Sequence, residues 1–315
     1  AAVRGALSMV DNITVSSSSA PAHNASTRNA STHAAELRTP FREGLFANHV
    51  AVVTGGGSGI NQAIAERLAA LGAHVVLIGR TQAKLDAVAE GIVQRGGRAS
   101  GYSADVRHYE SLAEIMATVR STLGTIDIVV CGAAGNFPAS AAGMSANAFK
   151  SVVDIDLLGT FNTCRSAYEH LTTPGASVIT ISAPQAVQPL PMQAHVNSAK
   201  AGVDMLTRTL AVEWGRRGIR VNGVSPGAVA DTEGMDRLAP TGATRDMLAA
   251  RIPLGRLGVK EDIADMVTFL CSDAARYVTG SVLLCDGGLT VSGAMFGLAE
   301  GAERALAGLG TNGAV

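Results

Sequence analysis

Aromatic residues are scarce in this chain of 315 residues: one Trp, four Tyr and seven Phe. A core poor in large rings must be filled by Ala, Val, Ile and Leu, and with 36 Gly the mix suits helices packed closely on a parallel sheet. Excess charge is also lacking. The 25 Lys and Arg against 26 Asp and Glu leave a formal net charge of −1, and no Lys/Arg block forms a nucleic-acid patch, so no nucleic-acid partner is expected. The four cysteines (Cys131, Cys164, Cys271 and Cys285) form no CxxC pair, and no His stands at metal-ligand spacing. That pattern reads as reduced thiols rather than disulfides or zinc, and no metal is expected. No apolar run is long enough to span a bilayer, so no membrane partner is expected either.

What is present divides unevenly. Residues from Ala1 to about Leu37 are rich in Ser, Ala, Asn and Thr, with a serine run at Ser16 to Ser19 and two similar stretches, HNAST and RNAST. We read 1–44 as a polar, flexible extension. It lacks the basic start and apolar stretch of a secretory signal. Its few acids and two early Arg make an organelle transit segment the alternative. The Asn-x-Ser/Thr sites at Asn12, Asn24 and Asn29 follow from composition. At the other end, Thr311 to Val315 is not a peroxisomal address of the Ser-Lys-Leu kind. A cytoplasmic location is the default expectation, with a peroxisome or other organelle as the alternative.

From His49 a rhythm begins. HVAVVT predicts a strand closed by a glycine cluster, and NQAIAERLAALG carries apolar residues at helical spacing. Strand and helix patterns then alternate: HVVLIG, TQAKLDAVAEGIVQRGG, RASGYSADV, YESLAEIMATVRSTLG and IDIVVCGAAG. A long helix is predicted from about Ala146 to His170, then the strand ASVITIS, a helix through Gly215, the strand IRVNGVSPG, a helix over Asp262 to Ser272 and a last strand SVLLCDGG. Alternation of this kind implies right-handed crossovers and one doubly wound parallel α/β sheet, a single Rossmann-type domain over 45–295 with 296–315 as a C-terminal tail.

The first strand ends in Thr54-Gly55-Gly56-Gly57-Ser58-Gly59-Ile60-Asn61 and a helix follows. In that context a glycine loop is a dinucleotide-phosphate site, because backbone N–H groups and the helix N-terminus meet the pyrophosphate. The simpler alternative is an ordinary tight turn. The second strand ends Ile78-Gly79-Arg80, where an NAD site would carry a carboxylate for the ribose 2′-hydroxyl. A guanidinium there suits a 2′-phosphate, so the expected cofactor is NADPH.

These residues resemble the short-chain dehydrogenase/reductase family over nearly all of 45–290. The resemblance is carried by TGGGSGI at Thr54, Asp105-Val106, Gly132-Ala133-Ala134-Gly135, Asn197-Ser198-Ala199-Lys200, Arg220-Val221-Asn222, Pro226-Gly227 and Asp286-Gly287-Gly288. It implies a cofactor site with Gly55, Gly57, Ser58, Gly59 and Ile60 at the phosphates and Arg80 at the 2′ position. Asp105 and Val106 would lie near the adenine, Ala133 and Gly135 near the ribose, and Pro226, Gly227 and Val229 beside the nicotinamide. Lys200 would bind the nicotinamide ribose. The family is mostly tetrameric or dimeric, and a homo-tetramer is expected.

Departures from the family pattern carry the functional argument. Val196 stands four residues before Lys200, where most members have a catalytic Tyr. Asp156-Leu157-Leu158-Gly159 replaces an Asn-x-x-Gly motif, and Asn61 replaces the third glycine of the cofactor loop. The pattern is similar to the peroxisomal-type 2,4-dienoyl-CoA reductases, which lack that Tyr and pair an Asp with the Lys. The similarity includes Cys131 to Phe137, Asp154-Ile155-Asp156, Gly159 to Asn162, Leu210 to Gly215, Thr232-Glu233-Gly234 and Arg256-Leu257-Gly258. Mitochondrial-type relatives keep a Tyr further upstream, and none occurs here between Ala183 and Lys200.

The resemblance implies NADPH-dependent reduction of a 2,4-dienoyl-CoA to the 3-enoyl-CoA. Hydride reaches the δ-carbon, charge collects on the thioester oxygen, and a water polarised by catalytic Asp156 and Lys200 protonates the α-carbon. Asn136, Phe137 and Ser182 are candidate substrate-binding residues, because they follow the fourth and fifth strands at the carboxyl edge where ligands bind. For Phe137 a core position is an equal alternative, and for Ser182 a strand-end cap is the simpler one. His195 is expected to be a satisfied helix-start residue, and Asp154 to point away from Asp156. Ala228 to Leu248 is the expected substrate lid. Two other functions compete: a ketoacyl-CoA or other short-chain alcohol dehydrogenase or carbonyl reductase with an atypical acid, and an inactive NADP-binding regulatory or scaffold protein.

Overall fold

The computed structural model describes residues 40–292; residues 1–39 of the polar extension and the whole 296–315 tail lie outside them. Seven strands form one parallel sheet: β1 (Val50–Thr54), β2 (His74–Gly79), β3 (Arg98–Ser103), β4 (Ile128–Cys131), β5 (Ser177–Ile181), β6 (Arg220–Pro226) and β7 (Val282–Cys285). Their spatial order is β3-β2-β1-β4-β5-β6-β7. Strands such as VAVVT and IVVC are buried along their whole length, as strands covered on both faces must be.

The helices are α1 (Gly59–Ala70), α2 (Gln82–Gln94), α3 (Tyr109–Leu123), α4 (Ala146–Val153), α5 (Gly159–Ala167), α6 (Ala194–Trp214), α7 (Glu233–Leu238), α8 (Gly242–Ala249) and α9 (Lys260–Cys271). On one face of the sheet Leu68 of α1, Leu85 of α2 and Ile263 of α9 pack on Val53 and Val75. On the other, Leu112 of α3, Cys164 of α5 and Trp214 of α6 pack on Val52 and Val129. The chain steps outward from β1 through β2 to β3 and then crosses back to β4 on the other side of β1, so the sheet is doubly wound and its strand order reverses between β1 and β4. The register pairs Thr54 with Cys131, and the loops after these two strands therefore open side by side at the reversal, the place where such sheets bind ligands. An ion pair between buried Arg67 and half-buried Asp265, Nε to Oδ1 at 3.0 Å, joins α1 to α9.

The helix predicted over Ala146 to His170 is interrupted. A π-helical segment, Asp154–Leu158, lies between α4 and α5, and a short 3₁₀ turn closes the run. One extra residue per turn turns Asp156 inward to 1 % exposure, whereas Asp154 stays near the surface and binds Lys150. Such π segments concentrate at functional sites. No described helix is long and apolar enough to cross a membrane.

Candidate active site

A cleft of about 540 Å³ runs along the carboxyl edge of the sheet. Gly55, Gly57, Ser58, Gly59 and Ile60 line one end, with Arg80, Asp105 and Val106 beside them, Ala133 and Gly135 in the middle, and Pro226, Gly227 and Val229 further along. Gly55 has φ +71°, and a Cβ on it would stand 3.1 Å from the Ala133 backbone. A side chain there would fill the cradle, so the two loops fit a flat, extended ligand such as a dinucleotide. Thr54 Oγ1 accepts the Gly132 N–H at 3.1 Å and fixes the second loop against the first.

Arg80 is joined at this end by Lys84, while the nearby carboxylate of Asp105 is engaged by Arg107. Arg107 donates to both Asp105 oxygens, at 3.0 Å and 2.6 Å. That guanidinium holds the Asp105 carboxyl down at about 2. The end that holds Arg80 therefore has cations and no free carboxylate among the lining residues.

Asp156 and Lys200 meet inside the same cleft. Gly135 N–H donates to Asp156 Oδ1 at 2.7 Å, and Lys200 Nζ stands 3.2 Å from Oδ2. The Nζ–Oδ2 contact is ionic rather than a well-aligned hydrogen bond, since Oδ2 is buried without a hydrogen-bond partner. Nζ donates to the Ile181 carbonyl at 2.9 Å. Both side chains are almost wholly buried, Lys200 at 6 % exposure. Val196 lines the wall beside them and has neither donor nor acceptor.

The remaining candidates are placed differently from one another. Asn136 lines the cleft, its side-chain Oδ1 buried without a partner among the described residues. Its carbonyl accepts Arg237 Nη1 at 2.7 Å, which ties helix α7 to the site. The lid segment folds into α7 and α8, and Met235 and Leu248 line the cleft from them. Ser182 lines the cleft too, but its hydroxyl donates to Asp204 Oδ1. Phe137 is not among the lining residues. It is half-buried and packs with Val152, Val196 and Ala199, its ring edge-on to His195 at 4.4 Å. His195 is fully buried and neither ring nitrogen has a hydrogen-bond partner among the described residues, contrary to the expectation of a satisfied ring.

Comparison with known proteins gives this geometry a lineage. Residues 55–290 match the family model described as Enoyl-(Acyl carrier protein) reductase. The peroxisomal 2,4-dienoyl-CoA reductase of Saccharomyces cerevisiae, (3E)-enoyl-CoA-producing, is 42% identical over 261 residues, 82% of this chain and 89% of its own length. The corresponding rat enzyme is 42% identical over 250 residues, 79% of this chain and 86% of its own. Among solved structures, the citronellol catabolism dehydrogenase of Pseudomonas aeruginosa PAO1 superposes with a TM-score of 0.71 at 36% identity, covering 80% of this chain and 99% of that one. The chain belongs to the short-chain dehydrogenase/reductase family.

Within that family, Asn61 is a departure whose consequence the structure makes plain. Its Nδ2 donates to the Gly132 carbonyl at 2.7 Å. A Cβ at Gly132 would fall 2.1 Å from the Asn61 amide oxygen. The space left by one glycine is thus used by the side chain of the other position, and the two cofactor-facing loops are joined by a hydrogen bond. Nothing in a single sequence signals that contact across 71 positions.

Proposed function

We propose that this reductase-family chain uses NADPH to convert a 2,4-dienoyl-CoA into the 3-enoyl-CoA. The observation that carries the reading is the buried Asp156–Lys200 pair, 3.2 Å apart in the cleft, beside an apolar Val196. A carbonyl reductase needs an acid at the carbonyl oxygen, and Val196 has no proton to give. A conjugated thioester needs its proton elsewhere, on carbon, after charge has moved away from the point of hydride addition. The relatives named as 2,4-dienoyl-CoA reductases support the same substrate class.

The reduced nicotinamide, when bound, supplies the hydride. Arg80, with Lys84 beside it and no free carboxylate, favours the 2′-phosphorylated form. Lys200 Nζ, braced by Ile181 O, orients the ribose and carries positive charge toward the developing oxyanion. Asp156 Oδ2 accepts from a water whose proton passes to the α-carbon, and Lys200 restores that proton; proton delivery belongs to the pair. Met235 and Leu248 on the lid give the acyl chain an apolar wall, and closure excludes bulk water. A homo-tetramer is the assembly this reading carries with it.

The test is oxidation of NADPH against dienoyl-, enoyl- and ketoacyl-CoA thioesters, with the double bond of the product located by NMR. Turnover confined to dienoyl-CoA with a 3-enoyl product is expected. Comparable turnover of a ketoacyl-CoA would return the chain to the carbonyl-reducing class, and NADPH binding without turnover of any thioester would make it a scaffold.

A further inference from the structure

Asp204 is a buried carboxylate that the reaction above leaves unused. It lies on α6 one helical turn beyond Lys200 and is 4 % exposed. Its Oδ1 accepts the hydroxyl of Ser182. The preceding residue, Ile181, offers its carbonyl to Lys200 Nζ at 2.9 Å. Two successive residues at the end of β5 are therefore tied to two successive turns of α6, one through Lys200 and one through Asp204.

Burial pushes the Asp204 carboxyl above its ordinary value, and Ser182, Arg208 and Lys200 pull it back. The charged surroundings of Lys200 are few. On α6 Asp204 is one, while Arg208, a turn further, acts on Asp204. From the π segment only Asp156 faces it, since Asp154 is spent on Lys150 of α4 at the surface. The β5 strand and the 3₁₀ turn Pro184–Ala186 carry no titratable side chain. Arg220 of β6 points instead to the Ser272 and Val278 carbonyls.

We infer that Asp204 is a positioning residue for Lys200: through Ser182 it anchors the end of β5 whose Ile181 carbonyl holds Nζ. The inference rests on Lys200 being half of the proton-delivering pair. It also reassigns Ser182, whose hydroxyl serves the scaffold rather than the thioester.

Asp204→Asn keeps an oxygen that accepts from Ser182, whereas Asp204→Ala and Ser182→Ala remove the tie. The experiment is kcat and KM with NADPH and a 2,4-dienoyl-CoA, for the wild-type chain, Asp204→Ala, Asp204→Asn, Ser182→Ala and Asp156→Asn, with melting curves and NADPH dissociation constants alongside. Expected in Asp204→Ala and Ser182→Ala is a kcat lowered about threefold or more at unchanged KM, restored to near the wild-type value in Asp204→Asn. Undiminished kcat in Asp204→Ala, while Asp156→Asn is dead, overturns this inference alone, and a loss confined to Ser182→Ala assigns that hydroxyl to the thioester instead. If Asp156→Asn turns over normally, the pair itself is wrong. Should Asp204→Ala fail to fold, the other two variants decide: undiminished kcat in Ser182→Ala overturns the inference, and reduced kcat there with near-normal kcat in Asp204→Asn upholds it.

Discussion

A carboxylate at 1 % exposure is costly unless its surroundings answer for it, and Asp156 has two answers: the Gly135 N–H at 2.7 Å and the Lys200 ammonium at 3.2 Å. The first also fixes the loop that lines the middle of the cleft, so structure and chemistry meet in one side chain. Asp156→Asn keeps an acceptor for Gly135 and removes only the charge. Its kcat should fall by about 10²- to 10⁴-fold, the usual worth of a positioned proton-transfer group, with NADPH affinity nearly intact. Normal turnover in that variant would take Asp156 out of the reaction. Arg80 offers a second separation of roles: Arg80→Ala should weaken NADPH about tenfold or more while leaving NADH little changed, read from dissociation constants by fluorescence titration. Equal losses for both nucleotides would contradict a 2′-phosphate contact. At this scale the sequence was most readable in placement: Arg80 at a strand end, Val196 in place of a Tyr and Asp156 in place of an Asn all line the cleft. It was unreadable where meaning lies in a distant partner. Asn61, in place of a loop glycine, donates to the Gly132 carbonyl, and Ser182, read as a substrate residue or more simply a cap, donates to Asp204.

The strands and helices follow from apolar periodicity and glycine stops, and their order from the alternation of the two, because a strand buried on both faces has few other ways to read. What periodicity hides is a change of pitch within one element. The run from Ala146 has continuous helical spacing, and the π segment at Asp154–Leu158 leaves no mark in it, although it is what turns Asp156 to the cleft. Element ends are more legible when charge caps them. Asp262 of α9 accepts the Val259 N–H at 2.8 Å and pairs with Arg256 at 2.7 Å, joining the segment after the lid to that helix. The Arg256 guanidinium, ahead of the opposing effect of burial, holds the Asp262 carboxyl below its ordinary value. A depressed folded-state pKa gives stability that is complete above the unfolded carboxylate value and is lost as pH falls through the folded one. Melting temperatures of wild type and Asp262→Asn should therefore differ at neutral pH and converge in acid. A gap that persists at low pH would mean that the lost interaction is not ionic.

At the scale of the whole molecule, the face opposite the cleft side of α5 and α6 needs explaining. Val212 is 81 % exposed, and Leu158, Phe161 and Met205 are exposed with it. Beside them Phe161, Tyr168 and the buried Leu210 and Trp214 line a groove of about 330 Å³, with Arg165 and Glu213 among its lining. Exposed apolar side chains on the π segment, α5 and α6 would suit a contact surface, and packing on its own copy across a two-fold axis is the commonest way to cover one. The same two helices reach the active site, since α5 follows the Asp156 segment and α6 carries Lys200. Assembly through this face would hold the two halves of the pair in register, so its loss should be felt in turnover as well as in mass. A carboxylate placed at the centre of such an interface is desolvated without a partner, which is costly enough to dissociate it. Val212→Glu should elute as a monomer near the 32.0 kDa chain mass in light scattering, where the wild type is expected as a multiple of it. The variant's kcat should fall, while its far-ultraviolet circular dichroism stays that of the folded chain. An unchanged mass would show that this face is not what joins the subunits, and an unchanged kcat in a true monomer would show that α5 and α6 hold Asp156 and Lys200 together without help.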